Sequence, residues 1–429
     1  MEGCEDMLDY RSGGYHPVKT GEVYYGRYLI LQKIGFGYFS TVWLCNDLNS
    51  NLKVALKIQK SDRNYTDAAM DEIEIVSKIH RNYTHPKWSF GEKTHIVKVL
   101  NHFMHKGPFG RHVCMAFELL GCNMISLMKF YDFKGIPVKI SVEILKQSLI
   151  ALDYLHRICG VIHTDIKPEN ILFSLNEEQE KEVEKTGKIE NWIPMIEERT
   201  LRWPTEEEIA QQEMEKNNKK CKNTKRAMKK ERENKRKCER MQRRGIVKVI
   251  VPIENVVRKF DVNFQVKIVD FGNACWMHKH FSNEIQTLHY RSPEVILGIP
   301  YNQTADCWSL GCVFYELLVG CYLFDPKSGN NNNAEFELLC QICEIFGDSC
   351  FFWGLKGRNA SKYLTSGGRL RATHLVPRSL KKEFESRGIS PVDSPYIEEF
   401  LLKLIAPNPQ HRITAFECLS NPFFRRYFN

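Results

Sequence analysis

The sequence predicts an α+β fold in two lobes, β-rich first and helical second, with a long charged insert splitting the second. Three observations carry this. Between residues 28 and 118, short alternating apolar runs separated by Gly, Asn and Ser turns read as strands. Beyond residue 121, apolar residues recur mostly at helical spacing. From Ser174 to about 261 the apolar pattern gives way to Glu, Lys, Arg, Asn and Gln, a composition that builds no core of its own. A chain of 429 residues with 43% apolar content is long enough for a sizeable core.

The elements follow in order. Residues 1–14 are short and polar and are expected to be disordered, within a tail spanning 1–24. The first lobe spans 25–121. Its opening strand, Tyr28–Ile34, runs into Ile34-Gly35-Phe36-Gly37-Tyr38-Phe39-Ser40-Thr41-Val42. Strands Val42–Cys45 and Lys53–Ile58 follow, so the glycine loop joins two strands of a hairpin rather than a strand and a helix. In a hairpin, two glycines let the backbone descend over phosphates. Residues 66–80 carry apolar residues at 69, 70, 73, 76 and 79, a helical period. His95–Phe103 and Val113–Phe117 read as further strands. The second lobe begins at 122 and carries a helix over Ile140–Ile158. It is interrupted by the insert at 174–261 and resumes at 262–429. In the insert, Thr205-Glu-Glu-Glu208 has the form of a helix capping box.

Charge is concentrated. The net charge is +9, but residues 216–244 alone contain 15 Lys/Arg and 3 Glu, which leaves the remaining chain at −3. That basic run suits a solvated spacer, a nuclear-import or nucleic-acid patch, or a tether for acidic partners. The 15 cysteines lack paired spacing except for Cys340-x-x-Cys343, which lies in an apolar helical run and reads as core packing. The N-terminus lacks the basic-plus-apolar form of a signal segment. The most apolar stretch, Leu310–Phe324, is shorter than the ~20 residues a membrane span needs. These features predict a soluble, intracellular, reduced protein with no membrane association.

Chemistry-bearing residues recur along the chain. Lys57 ends an apolar strand, where a buried ammonium needs a partner. On the following helix Glu72 and Glu74 flank Ile73, and either can supply that partner. The stretch His163-Thr-Asp-Ile-Lys-Pro-Glu-Asn170 lies between the apolar runs Val161-Ile162 and Ile171-Leu172-Phe173. Within it the Asp165 carboxylate can take a hydroxyl proton, the Lys167 ammonium can sit beside transferred phosphate, and the Asn170 carboxamide can hold a divalent cation. Asp270-Phe-Gly272 ends a later strand and supplies a second metal ligand, so Asn170 and Asp270 together can hold Mg²⁺ on ATP. Ser292-Pro-Glu294 and Asp306-Cys-Trp-Ser-Leu-Gly311 follow, and His411-Arg412 comes near the end.

Taken in this order, the parts resemble the eukaryotic protein kinase fold over roughly residues 25–173 and 262–429. Gly14-Tyr-His-Pro-Val-Lys19, Phe39-Ser-Thr-Val-Trp-Leu-Cys45, His163–Leu172, Asp270-Phe-Gly-Asn-Ala-Cys-Trp276 and the charged spacer are similar to the SR-protein kinase family, which phosphorylates serines in Arg-Ser repeats of splicing factors. The resemblance implies Asp165 as base, Lys167 as phosphoryl support, and Asn170 and Asp270 as Mg²⁺ ligands. It selects Glu72 over Glu74 as partner of Lys57. It places Ile34–Val42 over ATP, with Ala55, Val42 and Leu172 around the adenine. Phe117 would stand at the back of the pocket, and Glu118 and Leu120 would offer backbone groups to the adenine edge. It implies a stability pair, Glu294–Arg412.

Thr164 stands where most kinases have arginine. An arginine can pair a phosphorylated activation loop, whereas a threonine cannot, so activity without such phosphorylation is expected. Three departures from the family pattern are visible. Ser40 replaces the third glycine, as in the family. Cys321 replaces an aspartate. Gly329-Asn-Asn-Asn-Asn333 replaces an acidic stretch, leaving Asp325, Glu335 and Glu337 to dock basic substrate. The expectation is a monomeric serine/threonine kinase of Arg-Ser-rich proteins, using ATP and Mg²⁺, in cytoplasm and nucleus. The alternatives are a pseudokinase scaffold for basic partners, or a nucleic-acid-associated kinase that uses its basic spacer.

Overall fold

The computed structural model describes residues 5–82, 85–88, 90, 93–189, 264–326, 334–372 and 374–428. In the first lobe, β1 (Val23–Tyr24), β2 (Tyr28–Phe36), β3 (Ser40–Asp47), β4 (Lys53–Gln59), β5 (Val99–Gly107) and β6 (Gly110–Glu118) form one antiparallel sheet in the order β1-β2-β3-β4-β6-β5. The alternation read from the sequence is what lets Tyr28, Ile30, Trp43, Leu56, Ile58 and Ala116 build a core on one face. The helix α1 (Arg63–Arg81) starts where Asp62 accepts a hydrogen bond from the Asn64 amide, and it buries Ala69, Glu72, Ile73, Ile75, Val76 and Ile79.

The second lobe is helical, with small sheets at its top. Here α2 (Met124–Phe130) and α3 (Val138–Asp153) precede β8 (Val161–Ile162). β7 (Leu120–Asn123), β9 (Ile171–Ser174) and β10 (Val266–Ile268) form one small sheet, and β8 pairs with β11 (Cys275–Trp276). Residues 163–170 are thus gripped by β8 before and β9 after. The helix α4 (Glu177–Thr186) comes next, and α5 (Thr304–Val319) follows in the second half of the lobe. All 16 residues of α5 are buried, so the apolar run from Leu310 is the centre of the lobe. No described helix is long and apolar enough to cross a membrane.

Three expectations need correction. The tail is ordered from residue 5: Met7–Asp9 form a 3₁₀ turn, Glu5 pairs with Lys33, and Asp9 accepts from Lys60 at 2.7 Å. Its polar residues are therefore spent on the first lobe, and residues 1–4 lie outside the described part. The strand expected at His95–Phe103 runs instead over Val99–Gly107, because register with β6 selects it; Ile96 makes a single bridge to Ile268. The insert does not begin as spacer at 174. α4 has a capping box formed by Asn176 and Gln179, and its one apolar side chain, Val183, is buried. Beyond it, the Ile189 amide donates to Gln32 Oε1 at 3.0 Å. Cys343 is buried in its helical run, with its Sγ 3.8 Å from that of Cys350, and Cys340 is half-buried. The basic run at 216–244, the Thr205–Glu208 box and the Asn330–Asn333 run fall outside the described residues.

Glu294 and Arg412 meet as the sequence suggests, with Oε1 2.6 Å from Nη1, Oε2 2.8 Å from Nη2, and both side chains fully buried. The fork-on-carboxylate geometry offsets two desolvations at once. An Arg412→Met variant leaves Glu294 buried without its partner and is expected to lose about 3–5 kcal/mol of stability, read as a lowered denaturation midpoint.

Candidate active site

The strand ending at Gln59 and helix α1 bring Lys57 and Glu72 together. Lys57 Nζ lies 2.9 and 3.0 Å from the two Glu72 oxygens and 3.0 Å from Asp270 Oδ1. Glu72 is buried on the inner face of α1, while Glu74, two positions on, is exposed. Burial disfavours the Lys57 ammonium, but two carboxylates outweigh it and hold its pKa above the ordinary lysine value. In return, Lys57 holds the Asp270 carboxyl down at about 2.

The loop between β8 and β9 presents its reactive side chains in one cluster. Asp165 Oδ2 accepts from Lys167 Nζ at 2.6 Å, and Oδ1 accepts from the Thr287 hydroxyl at 2.7 Å. Asn170 Nδ2 donates to the Asp165 carbonyl at 2.9 Å, which leaves its Oδ1 as the end available to a cation. Asn170, Asp270 and Lys57 line one cavity of about 770 Å³ beneath the glycine hairpin. A carboxylate and an amide oxygen on the same wall fit Mg²⁺, which takes few protein oxygens and completes its shell with phosphate and water. Among the described residues, no cluster of three His, Cys, Asp or Glu is placed to hold a metal by itself.

The far end of the cavity is apolar. Ala55, Val42, Leu172 and Phe117 line it, as do Glu118 and Leu120, together with Ile34, Gly35, Phe36, Gly37 and Ser40 from the hairpin. Tyr38, Phe39 and Thr41 do not. Thr41 is turned to the buried side of the strand, where its hydroxyl accepts from the Trp43 indole at 3.0 Å, and Tyr38 and Phe39 stand on the outer surface. The two-residue period of a strand cannot aim every residue of a loop inward. Val97, Val269 and Ile189 also line the cavity. Ile189 follows the charged α4, where nothing in the sequence pattern marks it.

Three further residues brace the site, and of these only Asp306 stands in a motif of the sequence, Asp306–Gly311, with no role attached there. Asp306 on α5 accepts from the His163 and Thr164 amides and from His156 Nε2, each at 2.8 Å. Thr287 orients Asp165. Gln286 is buried, and its side-chain amide donates to the Ala305 carbonyl and the Ser309 hydroxyl and accepts from the Ser292 amide and hydroxyl, each at 2.9 Å. Thr164 sits at φ +68° and donates its hydroxyl to the Asn273 carbonyl at 2.8 Å.

The protein kinase domain model matches residues 28–186 and 243–424. The serine/threonine-protein kinase SRPK of Physarum polycephalum is 37% identical over 432 residues, covering 98% of this chain and 91% of that protein. Protein kinase dsk1 of Schizosaccharomyces pombe is 34% identical over 98% of this chain and 85% of its own length. The chain belongs to the SR-protein kinases. Human SRSF protein kinase 3 is 29% identical over 98% of this chain. This SR-protein kinase is a serine/threonine-protein kinase.

A second cavity, of about 720 Å³, opens beside the catalytic loop and is lined by Glu169, Glu316, Tyr322 and Asp325 among others. Glu316 is 4% exposed and accepts from the Tyr290 hydroxyl at 2.7 Å. Burial pushes its pKa up to about 7, and the neighbouring Glu169 adds to this. A carboxyl whose folded pKa exceeds its unfolded one stabilises the fold at low pH and loses that contribution as pH rises from about 4.5 through 7. A Glu316→Gln variant is therefore expected to gain about 1–3 kcal/mol over the natural chain at pH 8, with the difference shrinking toward pH 5, measured by denaturant titration at the two pH values.

Proposed function

We propose that this kinase phosphorylates serines within Arg-Ser-rich proteins such as splicing factors, with Asp165 as the base. The observation that carries the assignment is Asp165 itself, held on both oxygens by Thr287 and Lys167 and placed beside the cavity that Lys57, Asn170 and Asp270 line. In this reading the substrate serine hydroxyl displaces Thr287 or Lys167 from one Asp165 oxygen and gives up its proton there as it attacks. Lys167 stays beside the loop and balances charge on the transferred phosphoryl group. Lys57, steered by Glu72, reaches the phosphates from the opposite wall. Mg²⁺ held by Asn170 and Asp270 would neutralise the phosphate oxygens. Ile34–Val42 form the cover, and Ala55, Val42, Leu172 and Phe117 form the adenine slot, with Glu118 and Leu120 at its edge. The proposed architecture is the kinase core at 25–173 and 262–429, with an insert whose first turns, through Ile189, belong to the core.

Arginine-rich substrate suits the acidic recess beside the loop, where Glu169, Glu316 and Asp325 converge. Glu335 contributes less to docking than its charge suggests, since Arg291 and the Tyr363 hydroxyl already engage it. Incubating the protein with ATP and an Arg-Ser repeat peptide, an Arg-Ala-spaced control and a proline-directed peptide should label the first alone. Asp165→Ala should lower turnover by more than about 100-fold with ATP binding kept, the scale set by losing a general base. Equal labelling of the proline-directed peptide would overturn the substrate class. Residual wild-type turnover in the variant would overturn the base assignment.

The reading extends to regulation and place. Gln286 ties the segment after Asp270 to α5 through a fully satisfied amide, and Thr164 holds Asn273, so uncharged groups do what a phosphate–arginine pair would otherwise do. Phosphatase-treated protein is expected to keep its full peptide-kinase rate, and loss of most of that rate would refute constitutive activity. The protein is read as a monomer acting in cytoplasm and nucleus, consistent with splicing-factor substrates.

A further inference from the structure

The kinase-domain match starts at residue 28, yet the segment before it reaches the cover of the nucleotide cavity. We propose that Tyr15 is a positioning residue for ATP, which latches the tip of the glycine hairpin closed from outside. The Tyr15 hydroxyl donates to the Gly37 carbonyl at 2.7 Å and lies 3.3 Å from the Tyr38 carbonyl. Gly37 lines the cavity, and there is open space where a side chain on it would stand. Gly37 itself therefore contributes no side-chain packing; Tyr38 and Phe39 pack against Tyr65 on the outer side, and the Gly37 backbone is held by hydrogen bonds. Within the turn, Gly37 and Ser40 bond each other; Tyr15 ties that turn to the body of the lobe.

The latch is itself held rigidly. Tyr15 is 4% exposed. Lys60 Nζ lies 4.3 Å from the centre of its ring and 4.7 Å from that of Tyr38, and is tied to Asp9 at 2.7 Å. The backbone is pinned on either side: Ser61 donates to the Gly14 carbonyl at 3.1 Å, Asp62 to the Gly13 carbonyl at 2.9 Å, and Tyr15 to the Asp9 carbonyl at 2.9 Å. A side chain at Gly14 would stand 1.8 Å from the Asp9 carbonyl oxygen, so only glycine makes the turn that aims Tyr15 at the hairpin. The Gly14-Tyr15 pair of the sequence thus has a mechanical use.

The consequence is a population effect. If the hairpin binds ATP only when closed, apparent affinity scales with the closed fraction, whereas the transfer step, once ATP is bound, does not. Losing one hydrogen bond of ordinary strength should lower the closed fraction and raise KM for ATP about 3- to 10-fold. The inference rests on reading Ile34–Val42 as the nucleotide cover.

The test is Tyr15→Phe in the full chain, which removes one oxygen and keeps the ring under Lys60. The expected result is KM for ATP raised about 3- to 10-fold, kcat at saturating ATP within about two-fold, KM for an Arg-Ser peptide unchanged, and an unchanged melting temperature without nucleotide. A purely structural role would instead lower the melting temperature and the active fraction, hence kcat, and leave KM for ATP alone; that pattern overturns the latch. Unchanged KM in Tyr15→Phe, beside a Lys57→Met variant that has lost turnover, overturns the latch and leaves the site standing. Full turnover in Lys57→Met overturns the site and the latch with it.

Discussion

A single buried carboxylate decides where the reacting loop lies. Asp306 is fully buried, and leaving it without partners would cost several kcal/mol. It finds them in two successive backbone amides, those of His163 and Thr164, and in the imidazole of His156. The loop must therefore pass over the N-terminal half of α5, and α5 cannot shift, since every one of its residues is packed. Asp165 follows Thr164 directly, so its position is inherited from that anchor. The same helix receives Gln286 through the Ala305 carbonyl and the Ser309 hydroxyl. Catalytic loop and activation segment are thus referred to one rigid body.

That anchoring has a conformational cost at the site. Thr164, Asp270 and Gln286 all sit in the left-handed region, at φ +68°, +65° and +69°, and none is glycine. Each is held there by a specific bond: Thr164 by Asp306 and Asn273, Asp270 by Lys57, Gln286 by α5. Strain of order 1–3 kcal/mol per residue persists only where surroundings over-determine it. The return is that Asp165, Asp270 and the segment around Gln286 are held in one arrangement in advance.

Much of the fold was legible because its signals are local. Strand alternation, the glycine hairpin and the helical period around Ile73 are set by near neighbours. Lys57 announced itself by being an ammonium in an apolar strand, and burial on α1 separates Glu72 from Glu74. What escaped depends on partners distant in sequence. Asp306 stands in a visible motif, but its role does not show there, because its partner His163 is 143 positions away. Thr287 stands 122 positions from Asp165. Glu5, Asp9 and Tyr15 look like a soluble tail until Lys33, Lys60 and Gly37 meet them. Val183 and Ile189 are single apolar residues in a charged run, too few to make a period.

The root of the insert has a consequence of its own. Strands β9 and β10 pair antiparallel, Phe173 opposite Val266, and the Ser174 amide donates to the Gln265 carbonyl at 2.8 Å. Ser174 and Gln265 are therefore neighbours across one hydrogen bond, although the chain between them first runs through α4 and Ile189 against the core. Whatever lies between them, both ends of that stretch return to one point, fixed by the pairing of β9 with β10. A change of chain length beyond Ile189 leaves that pairing in place, and with it the strand that leads into Asp270.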